Sequence, residues 1–197
     1  MASLDDLARD LEREDGKRPT VTVAELKPTV PRFQLVRAGE LEPRAMDWQV
    51  SGLYERDSLV LLFGDPGSAK TFIALDIACC VATGTDYHGR PVKQGAVVFV
   101  AGEGQNGLAR RLKAWAIRHG TDLADAPLYA ATAPAAMTDA ENVATVLSAI
   151  EELDEPPALI VLDTVARNFG PGDENSTQDM TRFVRGCDEL RIAHKCA

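Results

Sequence analysis

One stretch, LVLLFGDPGSAKTFIALDIA, constrains the fold of this 197-residue chain more than any other. Its apolar run predicts a strand over 58–63, a glycine-rich turn follows, and the next residues predict a helix over 70–83. Glycines let backbone N–H groups curl around an anion, and the helix N-terminus points further unpaired N–H groups at the same place. The stretch therefore predicts a phosphate-binding loop between a strand and a helix.

The turn fits the phosphate-loop pattern G-x-x-x-x-G-K-[ST] at every position except Ala69, where the pattern has glycine. Lys70 is expected to bridge the β- and γ-phosphate oxygens of a nucleotide, and the Thr71 hydroxyl to ligate Mg²⁺. The Cβ of Ala69 must fit a helical backbone or crowd the phosphate, so we expect weakened binding. The alternative is a turn that binds no ligand. The predicted nucleotide-binding residues are Gly64, Asp65, Pro66, Gly67, Ser68, Ala69, Lys70, Thr71 and Phe72.

Short apolar runs alternate with amphipathic stretches from residue 58 onward, which is typical of βα units around a parallel sheet. Strands are predicted over 58–63, 96–101, 127–131 and 158–163, and helices over 70–83, 106–119, 139–153 and 176–193. Thr138 with Glu141 predicts a capping box, and Ser176 with Asp179 a weaker one. The fold class is therefore α/β, a parallel sheet flanked by helices.

Ahead of this core we predict a flexible arm over 1–31 and a lead-in segment over 32–57 that packs on a core of 58–197. In the arm, Leu4, Leu7 and Leu11 lie at helical spacing, and docking on another subunit and plain exposure both stay open.

Composition limits the function and the compartment. Thirty acidic against 21 basic residues give a net charge of −9, which excludes blanket coating of nucleic acid but not a local basic patch. No apolar stretch approaches the roughly 18 residues of a membrane span, and the amino-terminal residues are acidic, so we expect a cytoplasmic protein. The cysteines lack metal or disulfide spacing and are interpreted as reduced thiols; they are Cys79, Cys80, Cys187 and Cys196.

Two acidic residues follow apolar strands, where ligands bind in α/β sheets. Asp163 closes ALIVLD, the pattern of a Mg²⁺-organising aspartate, although an aspartate that caps a turn gives the same pattern. Glu103 follows AVVFVAG and is predicted to be a general base or to position the attacking water; a solvated loop glutamate is the alternative.

With these residues placed, the chain resembles the RecA-like P-loop ATPases, and among them the RepA-type hexameric helicases of plasmids and phages and their AAA-family relatives. The resemblance covers about 48–185 and is carried by WQVSGLYERDSLVLLFG, GDPGSAKT, FVAGEGQNGLARRLKAW and LIVLDTVARNFGPGDENSTQDM. It implies ATP and Mg²⁺ as cofactors, ATP hydrolysis between subunits of a ring, Glu103 as the catalytic glutamate and Asp163 as the Walker B aspartate. It also implies single-stranded DNA as a partner.

A basic cluster lies on the helix after Glu103, and DNA, an acidic neighbouring subunit and water are its three open partners; it consists of Arg110, Arg111, Lys113 and Arg118. Arg167 and the stretch 172–175 lie just beyond Asp163 and receive no assigned role. The histidines form no ligand spacing and are interpreted as surface residues, and most aromatic residues as core.

In the RecA-like family a further strand follows Walker B and lies between it and the phosphate-loop strand. Here the sequence ends at AHKCA, so we expect a sheet that lacks its last strands in an incomplete chain. Direct pairing of the two flanking strands, or a strand from another chain, is the alternative.

Two other functions stay open beside a helicase-type or DNA-remodelling ATPase. A regulatory switch would bind ATP and barely hydrolyse it because Ala69 impairs the site. A small-molecule kinase would use the same loop on an acceptor hydroxyl, but the residues after Asp163 are acidic, not the basic lid that a kinase needs.

Overall fold

The chain forms a layered α/β structure in the computed structural model, which describes residues 35–102, 105–131 and 133–197. The strands are β1 (Trp48–Val50), β2 (Tyr54–Glu55), β3 (Ala96–Ala101), β4 (Leu128–Ala130) and β5 (Pro157–Asp163). The helices are α1 (Lys70–Thr83), α2 (Gln105–His119), α3 (Ala140–Glu151), α4 (Val165–Asn168) and α5 (Thr177–His194).

A parallel sheet in the order β4-β3-β5 forms the middle layer. Its register sets Val97 opposite Leu128 and Ala101 opposite Asp163. The three strands predicted from residue 96 onward are confirmed, with the second shortened to three residues. All four predicted helices are confirmed, the third ending two residues early, at Glu151.

The strand predicted over 58–63 was wrong. These residues form no strand, and their side chains are largely exposed, 70% for Leu61 and 83% for Phe63. An apolar run becomes a strand only when a neighbouring strand pairs with its N–H and C=O groups. Within the described residues, no strand pairs with 58–63. The edge of β5 that does not pair with β3 is bonded instead to Ala197: the Ala197 C=O accepts from Ile160 N–H at 2.9 Å, and its N–H donates to the Ala158 C=O at 3.1 Å.

Side-chain contacts hold the start of the 58–63 segment in place. Arg191, near the end of α5, donates to the Asp57 carboxylate at 2.6 Å and to the Asp57 carbonyl at 3.2 Å. The same guanidinium donates to Asp188 at 3.0 Å, and the Ser58 hydroxyl donates to the Glu55 carbonyl at 2.5 Å. The segment is thus attached to the core by polar contacts at its first residues.

Helices cover both faces of the sheet, because alternate residues of a strand point to opposite faces. Val97 and Phe99 of β3 pack with α1 and α2 on one face. Val98 and Val100 pack with α3 and α5 on the other. A residue without a side chain lets α5 approach closely: a Cβ on Gly186 would lie 2.4 Å from the Met137 carbonyl oxygen.

Local capping differs from the sequence prediction at α3. The predicted capping box of Thr138 and Glu141 was wrong, since Asp139 is the N-cap and its carboxylate accepts from the Glu141 N–H at 2.9 Å. The Thr138 hydroxyl donates instead to the Pro171 carbonyl, at 2.8 Å. The Ser176 cap of α5 is confirmed, with Asp179 N–H donating to its hydroxyl at 3.4 Å.

All four cysteines are free and buried. Burial raises the pKa of the Cys79 and Cys80 thiols to about 12, and that of Cys187 and Cys196 to about 11. Thiols with such pKa values stay protonated near neutral pH and are poor nucleophiles. This agrees with the interpretation as reduced thiols.

The chain divides into two units, Met1–Arg44 and Ala45–Ala197. Of the first unit, the described residues contain one 3-10 turn, Ala38–Glu40; the arm predicted over 1–31 lies outside the described residues. In the second unit, β1 and β2 form a short antiparallel hairpin, and Val50 joins the core under α1. Among the described residues, no helix combines the length and apolar character needed to cross a bilayer.

Candidate nucleotide-binding site

The first turn of α1 lies at the carboxyl edge of the sheet. At the other end of this helix, the Val81 carbonyl accepts from Gly95 N–H at 3.2 Å, one residue before β3 begins. A 14-residue helix is about 21 Å long, close to the length of a six-residue strand. Lys70 is therefore at the edge where β3 and β5 end and where Asp163 lies.

The loop over 64–69 curls over the amino end of α1. Ser68 N–H donates to the Asp65 carbonyl at 3.1 Å, which closes the turn. The Lys70 ammonium folds back into it and donates to the carbonyl oxygens of Gly64 at 2.8 Å and Asp65 at 2.9 Å. No acidic side chain occupies the first turn of α1, so its positive end faces the loop uncompensated. An ammonium and a helix N-terminus on one loop suit an anion such as a nucleotide phosphate.

Ala69 has a left-handed backbone conformation, with φ of 63° and ψ of 21°. This is the conformation that glycine adopts readily and that costs other residues about 1 kcal/mol or more. Of the two alternatives stated for Ala69, a helical backbone is therefore excluded: the residue ends the loop as the N-cap of α1 and keeps the glycine-like turn despite its methyl group.

We expect Ala69→Gly to raise the free energy of unfolding by about 1 kcal/mol, because the left-handed strain disappears. ATP should also bind more tightly, since the loop no longer carries a Cβ beside the phosphates. Lys195→Gly is the matched control: Lys195 also has a left-handed backbone, with φ of 55°, but caps α5. Denaturant unfolding should show a gain for both variants and calorimetry a tighter ATP complex for the first only. Unchanged or weaker affinity in Ala69→Gly would contradict this view of the loop.

Asp163 is the last residue of β5, half-buried, with its backbone carbonyl accepting from Gly102 N–H at 2.6 Å. Its carboxylate and the hydroxyl of Thr71 are the oxygen ligands that Mg²⁺ prefers, and both belong to elements that meet the carboxyl edge. These residues therefore fit a magnesium nucleotide.

A buried asparagine that the sequence did not single out supports the loops at this edge. Asn168 is fully buried, and its side-chain oxygen accepts from Ala135 N–H at 2.9 Å. Its amide donates to the Thr164 carbonyl at 3.0 Å, so the turn after Asp163 is tied to the loop before α3. An asparagine in a four-residue helix has no recognisable sequence signal.

Glu103, the predicted catalytic glutamate, lies outside the described residues, and its role stays a prediction. The side chain of Arg167 packs directly against Gly102, the residue before Glu103. A Cβ on Gly102 would lie 2.1 Å from the Arg167 Cβ. The exposed Arg167 is thus fixed beside the end of β3.

The predicted basic cluster divides between two environments. Arg111 places its guanidinium carbon 5.2 Å from the centre of the Phe72 ring, so it faces α1. Arg110, Lys113 and Arg118 are exposed on α2. Phe72 itself is 57% exposed and is thus an exception to the interpretation of most aromatic residues as core; it lies under Arg111 at the rim of the loop.

The acidic stretch 172–175 forms a turn that precedes α5. Asn175 N–H donates to the Asp173 carboxylate at 2.9 Å, and Asp173 N–H to Asp179 at 3.2 Å. Ser176, not Asn175, caps α5. Among the described residues, no group of His, Cys, Asp or Glu has a metal-binding arrangement. Of the histidines, interpreted from the sequence as surface residues, His88 and His119 are exposed and His194 is half-buried.

A parallel sheet between two helical layers, with a glycine-rich loop and a lysine at the first helix, defines a RecA-like P-loop nucleoside triphosphatase core. A family model described as AAA domain matches residues 24–197, so the chain belongs to that family of P-loop ATPases. Neither a curated protein nor a solved structure matches the chain.

Proposed function

We propose that this chain binds and hydrolyses Mg²⁺-ATP and works as a RepA-type, ring-forming DNA helicase or DNA-remodelling ATPase. The observation that carries the nucleotide part is the Lys70 ammonium, held inside the loop by the carbonyls of Gly64 and Asp65. When a nucleotide binds, its phosphate oxygens would take the place of these two carbonyls as acceptors of the Lys70 ammonium.

Each residue has a defined part in this proposal. Lys70 binds the β- and γ-phosphate oxygens, and the N–H groups of the loop and of α1 bind the remaining ones. Thr71 and Asp163 hold Mg²⁺, which neutralises the phosphate charge. Glu103 orients water in line with the γ-phosphate and accepts its proton. Asn168 supports the turn that carries Asp163.

The proposed DNA substrate and ring assembly are supported by two sequence patterns and by the exposed cations of α2. The patterns are E-G-x-x-G-x-x-R-R at 103–111 and D-T-x-x-R at 163–167. In a chain of net charge −9, single-stranded DNA must bind at a local basic surface, and α2 provides one through Arg110, Lys113 and Arg118. A hexamer is the proposed assembly, with hydrolysis at subunit boundaries.

We expect single-stranded DNA to stimulate ATP hydrolysis and Glu103→Gln to lower kcat by about 100-fold or more, with ATP binding retained. Glu155→Gln is the matched control, because Glu155 is an exposed residue before β5, at the opposite edge of the sheet. Phosphate release with and without DNA measures both effects. Stimulation should fall as salt rises, since phosphate contacts release counterions. Turnover that DNA leaves unchanged would remove the helicase assignment.

A low-turnover regulatory switch is the second candidate, favoured by the left-handed Ala69 within the loop. It predicts Lys70-dependent ATP binding with little hydrolysis in both the wild-type chain and Glu103→Gln. A small-molecule kinase is disfavoured because Asp173 and Glu174 provide acidic, exposed side chains beyond Asp163.

A further inference from the structure

An aspartate in the middle of α1 connects this helix to α2. Asp76 accepts from the Trp115 indole N–H at 2.7 Å, and Trp115 is only 7% exposed. The ring of His119 stacks on the indole with centroids 4.2 Å apart, and its Nε2 lies 3.8 Å from the same carboxylate. His88 approaches the other carboxylate oxygen at 3.1 Å. Within α1 itself, the Cys80 thiol donates to the Asp76 carboxylate at 3.9 Å, so most partners of this carboxylate come from outside the helix.

A second contact between α1 and α2 lies nearer the nucleotide loop, and the two contacts together form a seam between these helices. Phe72 meets Arg111, and four residues further along both helices Asp76 meets Trp115. Equal steps along both helices mean that α1 and α2 run in the same direction, with α2 beginning about four residues, or one turn, ahead of α1. The first turn of α1 carries Lys70, and α2 begins two residues after Glu103.

We propose that Asp76 is a positioning residue for ATP hydrolysis: through Trp115 it holds α2, the helix that follows Glu103 in the sequence, against α1, the helix that begins at Lys70. The inference rests on the proposed ATPase function. Asp76 touches no reacting atom and lies six residues beyond Lys70, so its effect passes through the seam between α1 and α2. A misplacement of about 1 Å between a catalytic group and its target lowers a rate by up to about 100-fold.

The test compares Asp76→Ala, Asp76→Asn and Trp115→Phe in the full chain. We expect Asp76→Ala and Trp115→Phe each to lower kcat about 10-fold while the Kd for ATP stays within twofold. Asp76→Asn should stay within threefold of the wild-type kcat, because its amide oxygen still accepts from the indole N–H. The double variant Asp76→Ala with Trp115→Phe should lose no more than either single one, since both remove the same contact.

Val143→Ala is the matched control for stability alone. Val143 is buried in α3 on the opposite face of the sheet, so its truncation should lower the melting temperature and leave kcat unchanged. A kcat that falls as much in Val143→Ala, or a kcat in Asp76→Ala equal to wild type, would overturn the positioning role. Loss of kcat in Asp76→Asn equal to that in Asp76→Ala would also overturn it. Absence of Lys70-dependent turnover in the wild-type chain would overturn the proposed function and this inference together.

Discussion

Lys70→Ala is expected to weaken Mg²⁺-ATP binding about 100-fold. The ammonium is already directed into the turn, where it donates to the carbonyls of Gly64 and Asp65. With nucleotide bound, it would exchange these for charge-assisted hydrogen bonds to phosphate oxygens, together worth about 3 kcal/mol. That energy corresponds to roughly a factor of 100 in Kd. Calorimetric titration with ATP measures it.

Lys93→Ala is the matched control for the loss of one positive charge. Lys93 is half exposed and pairs with Asp47 at 3.1 Å, in contact with the β1 hairpin rather than with the loop. Its removal should leave the Kd for ATP within twofold. If Lys93→Ala and Lys70→Ala weakened binding equally, attraction by overall charge and not a phosphate loop would explain the affinity.

Gly186→Ala is expected to lower the free energy of unfolding by about 2 kcal/mol. An added Cβ would lie 2.4 Å from the Met137 carbonyl oxygen and 3.1 Å from Val143 Cγ2, so α5 must move off the loop before α3. Overpacking of this kind costs about 1–3 kcal/mol, which outweighs the gain of up to about 1 kcal/mol that alanine brings to a helix. The melting temperature should fall by roughly 4–8 °C.

Gly107→Ala tests the same substitution in a helix without the close approach. Among the described residues, no atom outside the backbone of α2 and the chain neighbours lies within 4 Å of the position that a Cβ on Gly107 would occupy. This variant should be as stable as the wild type or more stable, by up to about 1 kcal/mol. Equal destabilisation in both variants would mean that helix propensity and not the contact with Met137 governs Gly186.

Much of the central sheet was predictable because β3 and β5 are continuous apolar runs. The pattern ALIVLD predicts a buried strand, and β5 is that strand, with Asp163 as its last residue. The equally apolar run over 58–63 failed. Periodicity records which residues favour burial, but a strand also needs a partner for its backbone groups.

The candidate site was predictable where the contacts are local. The loop, Lys70 and the N-terminus of α1 are contiguous in sequence, so spacing alone predicts their meeting. The pairing of Asp76 with Trp115 was not predictable, because 39 residues separate them. A carboxylate among apolar helix residues signals that a partner exists, yet only the packing of α1 on α2 reveals which one.

Local capping shows how close the competing signals can be. Thr138 and Asp139 are both good N-cap residues, and the sequence favoured Thr138 because Glu141 follows three residues later. The hydroxyl of Thr138 donates instead to the carbonyl of Pro171, 33 residues further along the chain. A tertiary hydrogen bond therefore decided which residue starts α3.

Steady-state release of phosphate from Mg²⁺-ATP by the wild-type chain and by Lys70→Ala tests the central claim most directly. The structure predicts turnover by the wild-type chain that falls to the uncatalysed background in Lys70→Ala and remains in Lys93→Ala. Hydrolysis that survives the loss of Lys70 would contradict a catalytic phosphate loop at residues 64–71.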